Sequence, residues 1–424
     1  MARSHASPAS NPTLWLFGAG DFAFNLLWQS VGFYLLFFYI DVLALPPALA
    51  GALFMIGAAW DGIADLLAGM LSDRLRLSYR RLVGWGAVPL ALAFIAMFAV
   101  PSGGAAMALA SQLLFRTFYA FTNVPYAAWT TRLAASSADR ALLAGLRMGF
   151  GAAAAALIAL SLPWLGDRAG SYGMAAALLA APGVLLLLTI AWRVPEPIRE
   201  DVASTSGAMM PALAALTGNR AFVLLNLAAA TGGASAALAG QSVPIFFRYA
   251  LGTGSGPPTL AGMALASLAA VPVWTAIARR HGARRTWLIA GALAIAFPLC
   301  FILVPDPGAG TAAALLLAMQ TAFAGFGVAA WSLLPDAVDW GADHERGRAE
   351  ATAFGLFALV QKLALAFTAL GIGAAYSAAG FVAGAQQDAD SLWAIHWLMV
   401  AGPPLLALPM LAAVWAIPRD IRRA

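Results

Sequence analysis

Runs of apolar residues long enough to cross a bilayer recur from end to end of this chain, broken only by short segments where arginine, glycine and proline collect. A transmembrane helix needs roughly 20 mostly apolar residues, because the hydrocarbon core is about 30 Å thick and each residue advances about 1.5 Å. Twelve stretches meet that requirement, at about 13–39, 46–71, 82–100, 105–131, 141–165, 173–193, 220–247, 258–278, 286–304, 310–334, 349–376 and 393–417. Composition agrees: 62% of the 424 residues are hydrophobic and 10% are charged, where a soluble surface draws on roughly 25%. The expected fold class is therefore an all-α integral membrane protein with twelve transmembrane helices. The first run contains Asp21, Asn25 and Gln29, which the apolar core of a cleaved secretory signal would not carry, so it reads as a true span.

The formal net charge of +5 would suit a nucleic-acid partner until the charges are located. Nineteen of the 24 basic residues fall in segments on one side of the twelve spans, and two, Arg168 and Arg248, on the other. The positive-inside bias then puts both termini in the cytoplasm of a multi-pass protein of the cell inner (plasma) membrane. The arginines face anionic lipid headgroups, and nucleic acid is not a partner. The two halves echo one another. Asp73-Arg74 and Arg80-Arg81 correspond to Arg279-Arg280 and Arg284-Arg285, and Arg140 corresponds to Arg346, at an offset near 205. The expected organisation is an N-terminal six-helix bundle, 1–193, a cytoplasmic linker, 194–218, and a C-terminal six-helix bundle, 219–424. Two parallel six-helix units are the plan of the major facilitator superfamily.

Six ionisable residues remain at membrane depth: Asp21, Asp61, Asp65, Arg116, Arg147 and Lys362. Each costs roughly 2.5–3.5 kcal/mol at a helix centre, so they must be partnered, hydrated, or both. Asp61 and Asp65, at i and i+4, share one helix face. Carboxylates about 6 Å apart repel by about 2.8 kcal/mol at an effective dielectric near 20. Either a cation sits between them or one holds a proton, unless one simply hydrates a cavity. Asp21, Asn25 and Gln29 form a polar stripe that suits a hydroxylated or zwitterionic solute, or packs on other helices through amide bonds. Lys362 is the only lysine in the chain. Its ammonium can lose a proton where guanidinium cannot, so it reads as a mobile charge or as a structural counter-ion. Arg116 lies seven residues before Asn123 on one face, and Arg147 either reaches a solute or pairs with Asp21.

Enzyme chemistry finds no foothold. The four histidines lie apart, no nucleophile–base set is visible, and Gly252, Gly254 and Gly256 lack the Lys-Ser/Thr ending of a phosphate loop. No cofactor is expected beyond a coupling ion. Cys300 is the single cysteine, so no intramolecular disulfide forms.

The stretch Trp60-Asp61-Gly62-Ile63-Ala64-Asp65 with Ser72-Asp73-Arg74, then Asn123-Val124-Pro125-Tyr126-Ala127-Ala128-Trp129, then Asp336-Ala337-Val338-Asp339-Trp340-Gly341 with Gln361-Lys362, occurs in one order along the chain. This set resembles the glycoside–pentoside–hexuronide:cation symporter family, the melibiose-permease-like carriers of the major facilitator superfamily. The resemblance implies cation binding by Asp61 and Asp65, as ligands of Na⁺ where that is the ion used, with Asn123 in the third position. It implies solute binding by Asp21 and Arg147 and a coupling role for Lys362; Asn25, Trp129 and Lys362 itself complete the expected set of solute-binding residues. The chain departs from the pattern at Asn123, where the best-known member carries a third carboxylate, at Ala127 in place of an aromatic residue, and at Arg116, an added charge. The expected function is cation-coupled symport, with H⁺ or Na⁺, of a sugar or glycoside by a monomer working by alternating access. A lysolipid or other amphiphile carrier is the alternative. A non-transporting sensor would need a soluble appendage, and the longest loop is only about 25 residues.

Overall fold

The computed structural model describes residues 11–75, 78–133, 137–196, 216–304, 308–340 and 350–418. Among the described residues every regular element is helical. The first unit holds α1 (Asn11–Gly18), α2 (Gly20–Ser30), most of α3 (Pro47–Leu75), α4 (Tyr79–Phe98), α5 (Ala105–Leu133), α6 (Ser137–Arg168) and α7 (Tyr172–Arg193). The second holds α8 (Arg220–Ile245), α9 (Gly256–His281), α10 (Ala283–Leu303), α11 (Ala309–Asp339), α12 (Glu350–Ala378), α13 (Ala389–Val400) and α14 (Gly402–Ala416). By internal contacts the first unit is Met1–Leu45 with Ala59–Val202, and the second is Pro46–Ala58 with Ala203–Ala424. The expected linker falls mainly on 197–215, and Arg346 and Arg348 on 341–349, all outside the described residues.

Among the described residues, ten helical segments are long and apolar enough to cross a membrane. The other two long segments, residues 11–42 and α5, carry Asp21 and Arg116 respectively. Among the described residues, prolines lie inside nine of the helices, including Pro125 in α5 and Pro244 in α8. Helices in a membrane tolerate them because neighbouring groups take over the freed carbonyls.

Three local features differ from the sequence expectation. The first span is not one regular helix: α1 and α2 meet at Ala19, and Val31–Leu35 and Phe38–Val42 are wide π turns. Second, the last span breaks at Ala401, because Pro403 and Pro404 supply no backbone N–H to the preceding turn. Just past the break, the Pro403 carbonyl accepts from the Ser235 hydroxyl at 2.8 Å. Third, Asp336 and Asp339 belong to the last turns of α11 rather than to a loop. Asn219 donates to the Ala337 carbonyl there, at 2.7 Å.

Each unit repeats one packing scheme. In the first, α2 packs on α6 and α7, and α4 packs on α5 and α7. In the second, α8 packs on α12 and α14, and α10 packs on α11 and α14. The repeat reaches individual hydrogen bonds. Arg80 holds the carbonyls of Ala191 and Trp192 at the end of α7, and Arg284 holds those of Val414 and Trp415 at the end of α14. A guanidinium fork suits two adjacent carbonyls at a helix C-terminus, where the dipole also favours positive charge.

On the same side of the first unit, Glu196 gathers three segments. Its carboxylate accepts from the backbone N–H groups of Tyr79 and Arg80 at 3.0 Å each. It also accepts from the Ser78 hydroxyl and from the Arg132 guanidinium at 2.6 Å. An acid at the N-terminus of α4 satisfies donors that the helix leaves unpaired.

Candidate solute and cation site

Both charge clusters form within the first unit. At α2, glycine lets neighbouring groups come close. A Cβ on Gly20 would lie 2.7 Å from the Tyr126 ring, and one on Gly151 would lie 3.1 Å from the Asn25 amide nitrogen. That closeness delivers Arg147 of α6 to Asp21: its Nε stands 2.5 Å from Oδ2. The Arg147 Nη1 reaches the Thr130 hydroxyl at 3.3 Å, and the guanidinium lies 5.4 Å from the centre of the Tyr126 ring. The Tyr126 hydroxyl sits against the Phe17 carbonyl and 3.1 Å from Asp21 Oδ2, its one proton shared between them. Phe17 stacks on Tyr126 and meets Trp129 edge-on. The pair is not sealed: 13% of the Asp21 side chain and 27% of the Arg147 side chain remain exposed.

The polar stripe continues from there. Asn25 donates to the Asp21 carbonyl at 2.8 Å and accepts from Gln29 at 3.1 Å. Each residue so holds the next one turn along.

The second cluster joins α3 to α5. Trp60 donates its indole N–H to the Thr117 hydroxyl at 2.9 Å. Beneath it Ala64, Ala68 and Ala120 form a small buried cluster with Phe121 and Val124. That register sets Asp61, the residue after Trp60, opposite Arg116, the residue before Thr117. Their charged groups are 3.8 Å apart and both side chains are 1% exposed. Trp28 of α2 covers the guanidinium at 5.6 Å from its ring centre. Asp65, one turn along α3, is half-buried and lies within electrostatic reach of the same guanidinium.

The structure thus brings together Asp21 with Arg147, and Asp61 with Arg116. Asn25 joins the first pair. Asn123 is half-buried on α5, and among the described residues no side-chain hydrogen bond ties it to Asp61 or Asp65. Trp129 is fully buried and donates to the Pro195 carbonyl at 3.2 Å. Lys362 lies half-buried on α12 of the second unit. Among the described residues no three His, Cys, Asp or Glu side chains gather as a metal site.

Sequence reading passed over Tyr126 and Thr130, although the signal was present. Gln112, Arg116, Tyr119, Asn123, Tyr126 and Thr130 recur at spacings of four and three along α5, one continuous polar and aromatic face. It also passed over a buried group on α8 and α12. Gln241 is 4% exposed, and its amide finds no hydrogen-bond partner among the described residues. The Ser242 hydroxyl beside it and the Tyr376 phenol are fully buried as well, with no hydrogen-bond partner among the described residues.

A family described as MFS/sugar transport protein matches residues 16–420. Over 96% of this chain and 92% of its own, the isoprimeverose transporter of Lactiplantibacillus pentosus is 25% identical. YagG of Escherichia coli (strain K12), which carries the provisional name glycoside/cation symporter, is 32% identical over 184 residues. That match spans 40% of this chain and 40% of YagG. In structure, the chain superposes on a bacterial homologue of the human lysosomal transporter Spinster with a TM-score of 0.70, at 15% identity and over 96% and 95% of the two chains. It superposes on the nucleoside transporter NupG equally well, at 0.70 and 15% identity. These likenesses fix the fold, and the match along nearly the whole chain fixes the kinship: this multi-pass membrane protein belongs to the MFS/sugar transport protein family.

Proposed function

We propose that the chain is a secondary active carrier of the inner (plasma) membrane that moves a sugar or glycoside together with a cation, H⁺ or Na⁺, by alternating access. The observation that carries this reading is the Asp21–Arg147 pair. It is a charged, hydrogen-bonding couple at membrane depth, held in place by Tyr126 and Thr130 and still open at its edge. A hydroxyl-rich solute gives up its water on binding, and groups that accept and donate at once replace that water. Asn25 extends the same edge along α2. The names of the relatives point the same way, one an isoprimeverose transporter and one provisionally named a glycoside/cation symporter.

Cation binding is assigned to Asp61 and Asp65, with Asn123 nearby and Lys362 in a coupling role. The absence of a third carboxylate at Asn123 tilts the choice of ion towards H⁺. The carrier works as a monomer in lipid. The amphiphile reading loses ground at Asp21 itself: Phe17 and Phe24 beside it are buried against Tyr126 and offer no apolar wall to an acyl chain.

A thermal-unfolding screen of the detergent-purified protein against mono- and disaccharides tests the reading. A true solute at 100 times its Kd stabilises by about 2.7 kcal/mol. Asp21→Asn should abolish that shift and abolish uptake into vesicles. A panel of sugars that leaves both wild type and variant unmoved, while a lysolipid shifts the wild type, would replace the sugar reading with the amphiphile one.

A further inference from the structure

Two carboxylates one turn apart on α3 require a positive partner, and the fold supplies one from within the chain. We infer that Arg116 is the resident cation of the Asp61–Asp65 pair, and that the chain consequently excludes Na⁺ from this place. The inference rests on the reading of that pair as the coupling site and narrows it.

The geometry is built rather than incidental. The Trp60–Thr117 hydrogen bond fixes the register of α3 on α5. The alanines at 64, 68 and 120 pack together between the two helices. The guanidinium arrives 3.8 Å from Asp61 with only 1% of either side chain exposed. Trp28 covers it from α2, and Tyr39 engages Gln112 at 2.7 Å one turn before it. Asp65 adds its charge from the next turn of α3.

A Na⁺ ion taken up here would need several oxygen ligands and would lie beside a fixed positive charge. At about 4 Å and an effective dielectric near 20, that repulsion lowers affinity about 1000-fold. Arg116 cannot yield by losing its proton, because guanidinium stays charged in proteins. The residues present therefore do not fit a bound Na⁺. The guanidinium already provides what the ion would provide, the neutralisation of a buried carboxylate.

The test compares thermal unfolding of the full-length protein in detergent in NaCl, LiCl and choline chloride at equal ionic strength, with no solute added. Wild type should unfold at one temperature in all three, within about 1 °C. Arg116→Gln should gain a saturable rise of at least about 3 °C in NaCl, and the double variant Arg116→Gln with Asp61→Asn should lose it again. A saturable Na⁺ rise in wild type overturns the inference, as does a folded Arg116→Gln that ignores Na⁺ or a double variant that still responds. Should Arg116→Gln fail to fold, Arg116→Lys carries the arm: it keeps the charge and must ignore Na⁺, and a response from it is fatal. These measurements need no sugar. A failure of every sugar to be transported would defeat the symport reading while leaving this result standing.

Discussion

At the scale of single residues, the two ion pairs are built for different work, and their exposure separates them. Asp61 and Arg116 are sealed at 1% exposure, whereas Asp21 and Arg147 keep an open edge. Removing one partner of a sealed pair strands the other as a buried charge, at a cost of about 3–5 kcal/mol, while removing both is far milder. Asp61→Asn should therefore destabilise strongly, and Asp61→Asn with Arg116→Gln should recover much of the loss. A double-mutant cycle on unfolding temperatures reads the difference, and independent, additive effects would deny the pairing. Asp21→Asn should cost less, because water still reaches Arg147. Tyr126→Phe keeps the ring under Arg147 and removes one hydroxyl from the Phe17 carbonyl and Asp21. We expect about 1 kcal/mol of lost stability by the same measurement. The sequence made all six intramembrane charges visible, and it placed Arg147 within reach of Asp21 as one of two choices. It left Arg116 unpartnered on paper, because which helix faces which is decided by inter-helix register. Here that register rests on Trp60, Thr117 and three alanines, none of which is charged.

At the scale of elements, the end of the first span and the end of α8 are two copies of one device. Phe38–Val42 and Phe246–Ala250 are both π turns. Each closes with two backbone bonds: Leu43 and Leu45 donate to Phe38 and Tyr39, while Leu251 and Thr253 donate to Phe246 and Phe247. The chain then turns through a left-handed residue, Ala44 at φ 52° in one copy and Gly252 at φ 63° in the other. Alanine pays for its Cβ in that region, and glycine does not. Ala44→Gly should therefore raise stability by about 1 kcal/mol, seen as a higher unfolding temperature with unchanged uptake, and a lower one would mean that the turn is not what sets the strain. Gly20→Ala should do the opposite, because a Cβ would meet the Tyr126 ring at 2.7 Å. Apolar run length predicts the spans to within about a turn. It is blind to how a span ends, since π turns and the break at Ala401 depend on where backbone carbonyls find donors. The Pro403-Pro404 pair was nevertheless a readable sign of that break.

At the scale of the whole molecule, the internal repeat and the charge asymmetry point to one orientation. Arg80 closes the end of α7, and Arg284 closes the end of α14. The repeat offset read from Arg80-Arg81 and Arg284-Arg285 is thus a repeat of function as well as of composition. Both arginines sit with the clusters that the positive-inside bias assigns to the cytoplasm. The first unit gathers Ser78, Arg80, Arg132 and Glu196 on that same side. The turns at Gly103 and Gly170, each with positive φ, fall at the opposite ends of their helices. A helix must emerge on alternate sides at successive ends, so the placement of one end fixes the rest. A fluorescent reporter that matures only in the cytoplasm should therefore glow when fused after the C-terminus. Alkaline phosphatase, active only outside, should be active when inserted at Gly103 or Gly170 and silent at the C-terminus. The reverse pattern would invert every assignment of side made from the arginines. An active phosphatase at both Gly170 and the C-terminus would require an even number of crossings between them, against the odd number, about seven, expected from one remaining in the first unit and six in the second.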